Sequence, residues 1–321
     1  MFISYFEEVR VLSIIFLSAA ILTKVKFFYI RYCKIQYFKY KINVGIILTN
    51  KIYNTLNIIV EERIYMVDNF EIKGEQNGSI RGIINRPSIS GKIPCIIFCH
   101  GFMGNKLGHN FMFVKIARTL EKLNIASIRF DFRGSGESDG DFKDITISSE
   151  VEDCKRVLQF ANSLDYIDKN NINILGFSMG AAIAVVIASS YSNIIKNSIL
   201  MSAGFNMYDI FISEATGDRL YEFLEKGYIN FENNILSEKA IEDAFNYRVF
   251  DYLKDMKGNT LIIHGTEDKS VYPLYARKIQ QLLGSKAKLK FIKGADHCYS
   301  SPEYYAELVK EIVLFVKEYI I

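Results

Sequence analysis

Gly176-Phe177-Ser178-Met179-Gly180 is the stretch that most restricts what this chain can become. An apolar run, Ile172-Asn173-Ile174-Leu175, enters it, and a run of small and apolar residues from Ala181 to Ala188 leaves it. Strand, sharp turn, helix is the setting in which G-x-S-x-G forms a nucleophile elbow. The glycines remove side chains where the backbone must turn tightly and pack closely. The serine hydroxyl is then held exposed at the tip, over a helix N-terminus. A free serine hydroxyl is a weak nucleophile, so such a turn calls for a base and an orienting acid elsewhere in the chain.

From residue 66 onward, strand-like and helix-like segments alternate. Residues 67–73 and 79–86 read as two strands of a hairpin around Gly74 and Gly78. Residues 94–99 are almost continuously apolar, as expected of a strand buried on both faces. Residues 111–123 have helical spacing, with Phe113, Ile116, Ala117, Leu120 and Leu123 on one side. Further strands are expected at 125–130, 172–176, 198–202, 260–263 and 289–292, and further helices at 147–164 and 302–319. This order predicts an α/β fold, a mostly parallel sheet flanked by helices. Residues 203–259 are far more than a simple crossover requires, and they hold eleven aromatic residues. They are expected to form a helical insertion with a small core of its own, serving as a lid, most of the aromatics being packing.

The chain has 321 residues, half of them hydrophobic, which suits one large domain or one domain with an appendage. Its net charge of +3 is too small to argue for nucleic acid or an acidic membrane surface. Residues 1–65 hold nine Lys/Arg against four Glu, so the basic excess belongs entirely to them. This segment has no Asp, no Pro and one glycine, Gly45. Its best apolar run, Val11 to Thr23, falls short of the roughly 20 residues a spanning helix needs. Glu7 and Glu8 beside Arg10 are the wrong charge balance for a signal peptide. Glu61-Glu62-Arg63 can be encoded by a purine-rich string resembling a bacterial ribosome-binding site, shortly before Met66. Residues 1–65 are therefore expected to be an N-terminal extension upstream of the true start, with a weak membrane anchor as the alternative. Residues 66–321 are the expected domain, and membrane association is expected only if 1–65 are translated. Five cysteines without a C-x-x-C pair read as reduced thiols, consistent with a cytoplasmic protein. A homodimer is compatible with such a chain.

Acyl transfer needs a nucleophile with a base, an orienting acid, and donors aimed at a developing oxyanion. Of the four histidines, His297 lies in the loop after the last strand, where the base belongs in this architecture. His100 and His264 sit at strand ends, where an imidazole usually braces a loop, and His109 begins a helix. Asp268, beyond a buried strand at the carboxyl edge of the sheet, is the candidate acid. Glu267 and Asp296 are the alternatives, although Asp296 adjoins His297 too closely to reach its far ring nitrogen easily. The backbone N–H groups of Phe102 and Met179 are the expected oxyanion donors. Gly134-Ser135-Gly136-Glu137-Ser138 lacks the G-K-[S/T] of a phosphate loop and reads as a tight loop at a strand end, braced by Asp131 and Arg133. No His/Cys/carboxylate set has metal-ligand spacing, so neither metal nor cofactor is expected.

Four strings, with the elbow, carry a family resemblance: His100-Gly101-Phe102-Met103-Gly104-Asn105-Lys106, residues 125–140 (I-A-S-I-R-F-D-F-R-G-S-G-E-S-D-G), His264-Gly265-Thr266-Glu267-Asp268 and Gly294-Ala295-Asp296-His297-Cys298. From Met66 to the C-terminus the chain resembles the α/β-hydrolases, most closely the bacterial cinnamoyl/feruloyl esterases. Ala181 departs from the pattern, standing where many relatives carry a second glycine. The resemblance implies a serine carboxylic-ester hydrolase with Ser178, Asp268 and His297 as triad. It implies Phe102 and Met179 as oxyanion donors and a small-molecule ester as substrate. In that family an insertion at the place of residues 203–259 shapes an aromatic acyl pocket. A lipase or monoacylglycerol hydrolase, an acyl-peptide hydrolase, and a non-catalytic binding protein on the same scaffold are the rivals.

Overall fold

The computed structural model describes residues 65–321, apart from 75–77, 215 and 232–233. The start-site, signal-peptide and anchor expectations for residues 1–65 lie outside the described residues. The strands are β1 (Tyr65–Ile72), β2 (Ile80–Pro87), β3 (Ile93–Cys99), β4 (Ala126–Phe130), β5 (Ile167–Phe177), β6 (Ile195–Met201), β7 (Tyr228–Phe231), β8 (Asn234–Ser237), β9 (Asn259–Gly265) and β10 (Ala287–Ile292). Eight of them form one sheet in the order β1-β2-β4-β3-β5-β6-β9-β10. β1 and β2 make the expected antiparallel hairpin, and β2 also runs antiparallel to β4. All other neighbours in this sheet are parallel.

The continuous apolar runs follow from burial on both faces. In β3, Cys95, Ile97 and Cys99 join one core, while Ile96 and Phe98 join the other. Ile172 and Ile174 in β5 likewise oppose Leu175 and Phe177. The α-helices are α1 (Met112–Lys122), α2 (Ile147–Ser163), α3 (Met179–Ser190), α4 (Met207–Glu214), α5 (Asp218–Lys226), α6 (Glu238–Asn246), α7 (Val249–Tyr252), α8 (Leu274–Leu283) and α9 (Pro302–Tyr319). α1 and α9 cover one face through Phe113, Ile116, Leu120, Leu308, Ile312 and Phe315. α2, α3 and α8 cover the other, and α3 is buried along almost its whole length. α8 is the crossover between β9 and β10, and it has no counterpart among the sequence expectations. Its buried stripe of Ala276, Ile279 and Leu283 is blurred by exposed Leu274 and Leu282.

Residues 203–259 are not purely helical, which corrects the expectation. They carry α4 to α7 together with the β7–β8 hairpin, whose Ile229 and Leu236 are buried. Asp243 of α6 accepts hydrogen bonds from the Ser148 N–H and hydroxyl at 2.8 and 2.5 Å, tying the segment to the first turn of α2. No helix among the described residues is long and apolar enough to cross a membrane.

Asp131, just after β4, is fully buried. It accepts the backbone N–H groups of Lys106 and Glu137 at 2.6 and 2.8 Å and pairs with the Lys106 ammonium. Arg133 donates its backbone N–H and Nε to Asp153 at 2.8 and 2.5 Å. These contacts supply the bracing expected of Asp131 and Arg133, and they anchor the loop that follows His100-Gly101-Phe102. Asp131→Ala leaves the Lys106 ammonium buried without its main partner. It is expected to lower the unfolding free energy by about 3–5 kcal/mol, measured by urea denaturation.

Candidate active site

Ser178 links β5 to α3 with φ 54° and ψ −122°, a backbone conformation that side chains other than glycine rarely adopt. Such strain costs about 1–3 kcal/mol and persists only where its surroundings enforce it. Its N–H donates to the Met201 carbonyl at 2.9 Å, and its carbonyl accepts from Ala181 and Gly204 at 3.0 and 3.1 Å. The glycines permit the close approach. A Cβ on Gly180 would lie 2.2 Å from the Cys99 carbonyl oxygen, and one on Gly176 would lie 2.4 Å from that of Gly180.

The structure brings Ser178, His297 and Asp268 into one hydrogen-bonded chain. His297 Nε2 is 3.0 Å from Ser178 Oγ, and His297 Nδ1 is 2.8 Å from Asp268 Oδ2. Asp268 is buried, and burial alone pushes its carboxyl pKa up. Hydrogen bonds from His264 and His297, with the Val271 N–H, outweigh that cost and hold the carboxyl well below the usual carboxylate range. A carboxylate at this place orients the imidazole and balances its charge when protonated. Neither alternative, Glu267 nor Asp296, hydrogen-bonds the His297 ring, whose nitrogens face Asp268 and Ser178. Glu267 is exposed, and Asp296 caps its own loop by accepting the Ser300 N–H at 2.9 Å.

The expected oxyanion donors flank the serine. Met179 opens α3, where first-turn N–H groups have no partner within the helix. Gly101 packs against Ser178, since a Cβ there would lie 3.0 Å from the Ser178 Cβ. Residues 101–104 close a tight turn through Gly104 N–H to the Gly101 carbonyl at 2.9 Å, with Met103 at φ 56°. His100 braces this turn, hydrogen-bonding the Gly101 carbonyl at 2.9 Å and accepting the Phe132 N–H at 3.1 Å. His109 lies apart from the chain, in a short 3-10 turn ahead of α1.

Phe142 is a neighbour of the site that the sequence does not single out, whereas Phe211 is one of the eleven insertion aromatics, some of which are expected to face substrate. Phe142 and Phe211 pack on the Phe102 ring at centroid distances of 5.2 and 5.1 Å. Phe211 belongs to α4, so the long insertion reaches the loop beside Ser178. A third contact, between His264 and Asp268, has a visible sequence signal only in the i, i+4 spacing of the two residues.

Residues 94–227 match the family model of the α/β hydrolase fold. The ferulic acid complex of Est1E from Butyrivibrio proteoclasticus superposes with a TM-score of 0.65 at 25% identity, covering 78% of this chain and 98% of that one. An esterase from Pyrococcus furiosus superposes with a TM-score of 0.62 at 19% identity, covering 80% of this chain and 92% of that one. The chain has the α/β-hydrolase fold, with esterases among its structural neighbours. By sequence it is 36% identical over 89 residues to an uncharacterised 31.7 kDa protein of Escherichia coli from the traX-finO intergenic region, covering 28% of this chain and 30% of that one. It is 30% identical over 106 residues to the quorum-quenching protein AidA of Acinetobacter baumannii, covering 33% of this chain and 34% of that one. The matched segments thus span about a third of these curated relatives.

Gly180→Ala is expected to break the elbow, because the added methyl would meet the Cys99 and His100 carbonyls at 2.2 and 2.3 Å. Loss of fluorophosphonate labelling of Ser178 is the measurement. Asp268 has a depressed pKa when folded, so its stabilisation is present above the unfolded carboxylate value of about 3.9 and is lost as pH falls toward the folded value. The stability gap between wild type and Asp268→Asn, read by urea unfolding, is therefore expected to shrink on moving from neutral to acidic pH.

Proposed function

We propose that this chain is a serine carboxylic-ester hydrolase working through an acyl-enzyme. The observation that carries the proposal is the hydrogen-bonded run Ser178–His297–Asp268, at 3.0 and 2.8 Å, on a strained elbow. Ser178 Oγ attacks the ester carbonyl carbon as its proton passes to His297 Nε2. The carbonyl oxygen becomes an oxyanion, met by the N–H groups of Phe102 and Met179. Collapse breaks the bond to the alkoxy group, which leaves as the alcohol with the proton from His297. Water then gives a proton to His297 and attacks the acyl carbon. The acid departs, and Ser178 recovers its proton. Asp268 stays ionised throughout and holds the imidazole.

The favoured substrates are small esters with an apolar or aromatic acyl group, of cinnamoyl or feruloyl type. Phe102, Phe142 and Phe211 offer an aromatic wall beside the serine, and the Est1E structure at 25% identity holds ferulic acid. In this proposal residues 203–259 act as the lid, through Phe211. The four described cysteines are all free, which fits a cytoplasmic enzyme.

Ser178→Ala is expected to lower p-nitrophenyl ester hydrolysis by about 10⁴-fold or more, and substantial remaining turnover would sink the proposal. A panel of feruloyl, short-chain and long-chain acyl esters separates the substrate classes. Preference for feruloyl or short acyl groups supports the aromatic-wall argument, whereas preference for long chains or monoacylglycerols makes the enzyme a lipase.

A further inference from the structure

Asp268 holds a second imidazole besides that of His297. His264, at the end of β9, is fully buried. Its Nε2 lies 3.1 Å from Asp268 Oδ2 and 2.9 Å from the Val271 carbonyl oxygen. A carboxylate and a carbonyl only accept hydrogen bonds, so Nε2 carries the proton. Nδ1 has no hydrogen-bond partner, and a second proton there would be buried without an acceptor. His264 is therefore the neutral Nε2–H tautomer and donates to the acid. The same Oδ2 faces His297 Nδ1 at 2.8 Å, while Oδ1 accepts the Ser270 and Val271 N–H groups at 2.9 and 2.8 Å. Four donors thus fix the carboxylate, and His264 and His297 share one of its oxygens.

We infer, resting on the triad proposed above, that His264 is a positioning residue for the reaction. It locks the Asp268 carboxylate with Oδ2 toward His297, and it draws part of the negative charge away from that imidazole. A loop brace would need only the bond from Nε2 to the Val271 carbonyl. The further contact with Oδ2 brings His264 into the hydrogen-bond chain that reaches the serine. Without it, Asp268 would hold a protonated His297 more strongly and in a less defined orientation.

The other titratable groups around this pair are few. Glu267 and Lys269 flank Asp268 from the solvent side. On the His297 loop, Asp296 accepts the Ser300 N–H and is held below its ordinary range, partly buried but stabilised by these hydrogen bonds. The Cys298 thiol is pushed up to about 11 by burial, then by the charges of Asp296 and Asp268. Burial raises the Tyr299 hydroxyl, which donates to the Ile263 carbonyl at 3.0 Å. On the serine side, Phe177 packs on the His297 ring, and Ser202 donates to the His297 carbonyl at 2.9 Å.

The test is steady-state hydrolysis of a p-nitrophenyl ester by the full chain across the acidic limb of its pH profile. His264→Leu is expected to lower kcat about tenfold with KM within about twofold, and to move the acidic limb of kcat/KM upward by about half a pH unit. His264→Gln keeps an N–H donor for Asp268 and is expected to stay within about threefold of wild type, with its acidic limb unmoved. If His264→Leu melts at lower temperature but keeps both kcat and the acidic limb, His264 is a loop brace and the inference is overturned. Should His264→Leu fail to fold, the longer apolar variant His264→Met is assayed in its place: a lower kcat with the acidic limb moved upward supports the inference, and an unmoved kcat and limb overturn it. Ser178→Ala separates the two levels: turnover in that variant overturns the triad itself. An inactive Ser178→Ala beside an unmoved His264→Leu profile overturns only the positioning role.

Discussion

The backbone of Ser178 cannot rest at φ 54° unless its neighbours leave it no alternative. They do so by contact. Gly180 packs on the carbonyls at the end of β3, Gly176 packs on the first turn of α3, and the Ser178 N–H and carbonyl are taken up by Met201 and Gly204. Three adjacent strand ends and the root of the long insertion are therefore closed around one residue. The strain is kept by over-determination. A methyl on either glycine would relieve it by pushing the sheet edge apart.

Two buried carboxylates organise the same edge in different ways. Asp131 ties β4 to the loops at 105–107 and 134–138 through two backbone N–H groups and the Lys106 ammonium. Asp268 faces two imidazoles and two backbone N–H groups, with no full positive charge beside it when both rings are neutral. Asp131 has a permanent cationic partner and serves architecture. Asp268 is held ionised by dipoles and so, in the proposed reaction, is left to answer a charge that develops on His297. In both cases the carboxylate is satisfied on several sides, as burial requires.

The insertion at 203–259 divides its aromatics between packing and the site. Phe205 stacks edge-on against Phe250, and Tyr208 meets Phe245 in the same manner. Phe211 alone among these meets Phe102, whose N–H is the proposed oxyanion donor. Through that ring contact, any displacement of α4 would be felt at the loop beside the serine. A hairpin among the helices was hard to foresee, because β7 and β8 are short strands whose pairing is settled by their burial of Ile229 and Leu236.

Local pattern sufficed for the strand–turn–helix at Ser178, for the parallel strands buried on both faces, and for the order Ser178, Asp268, His297. Each depends on residues close in the chain: glycines at a sharp turn, alternation within a strand, a polar residue at a strand end. Local pattern also separated Asp268 from Asp296, since a neighbour in sequence cannot easily reach the far nitrogen of His297. It did not reveal α8, whose exposed leucines mask its buried stripe, nor which insertion aromatic would meet Phe102. His264 shows the limit most clearly. At a strand end it reads as a brace, and it does bind the Val271 carbonyl. Only the register of β9 and the curl of the loop after it turn the same N–H toward the Asp268 carboxylate. The sequence by itself thus determined the α/β architecture and the residue types available for chemistry. Tertiary structure decided which donors converge on which acceptor, because hydrogen bonds depend on ångström-scale distances between groups that the chain holds far apart.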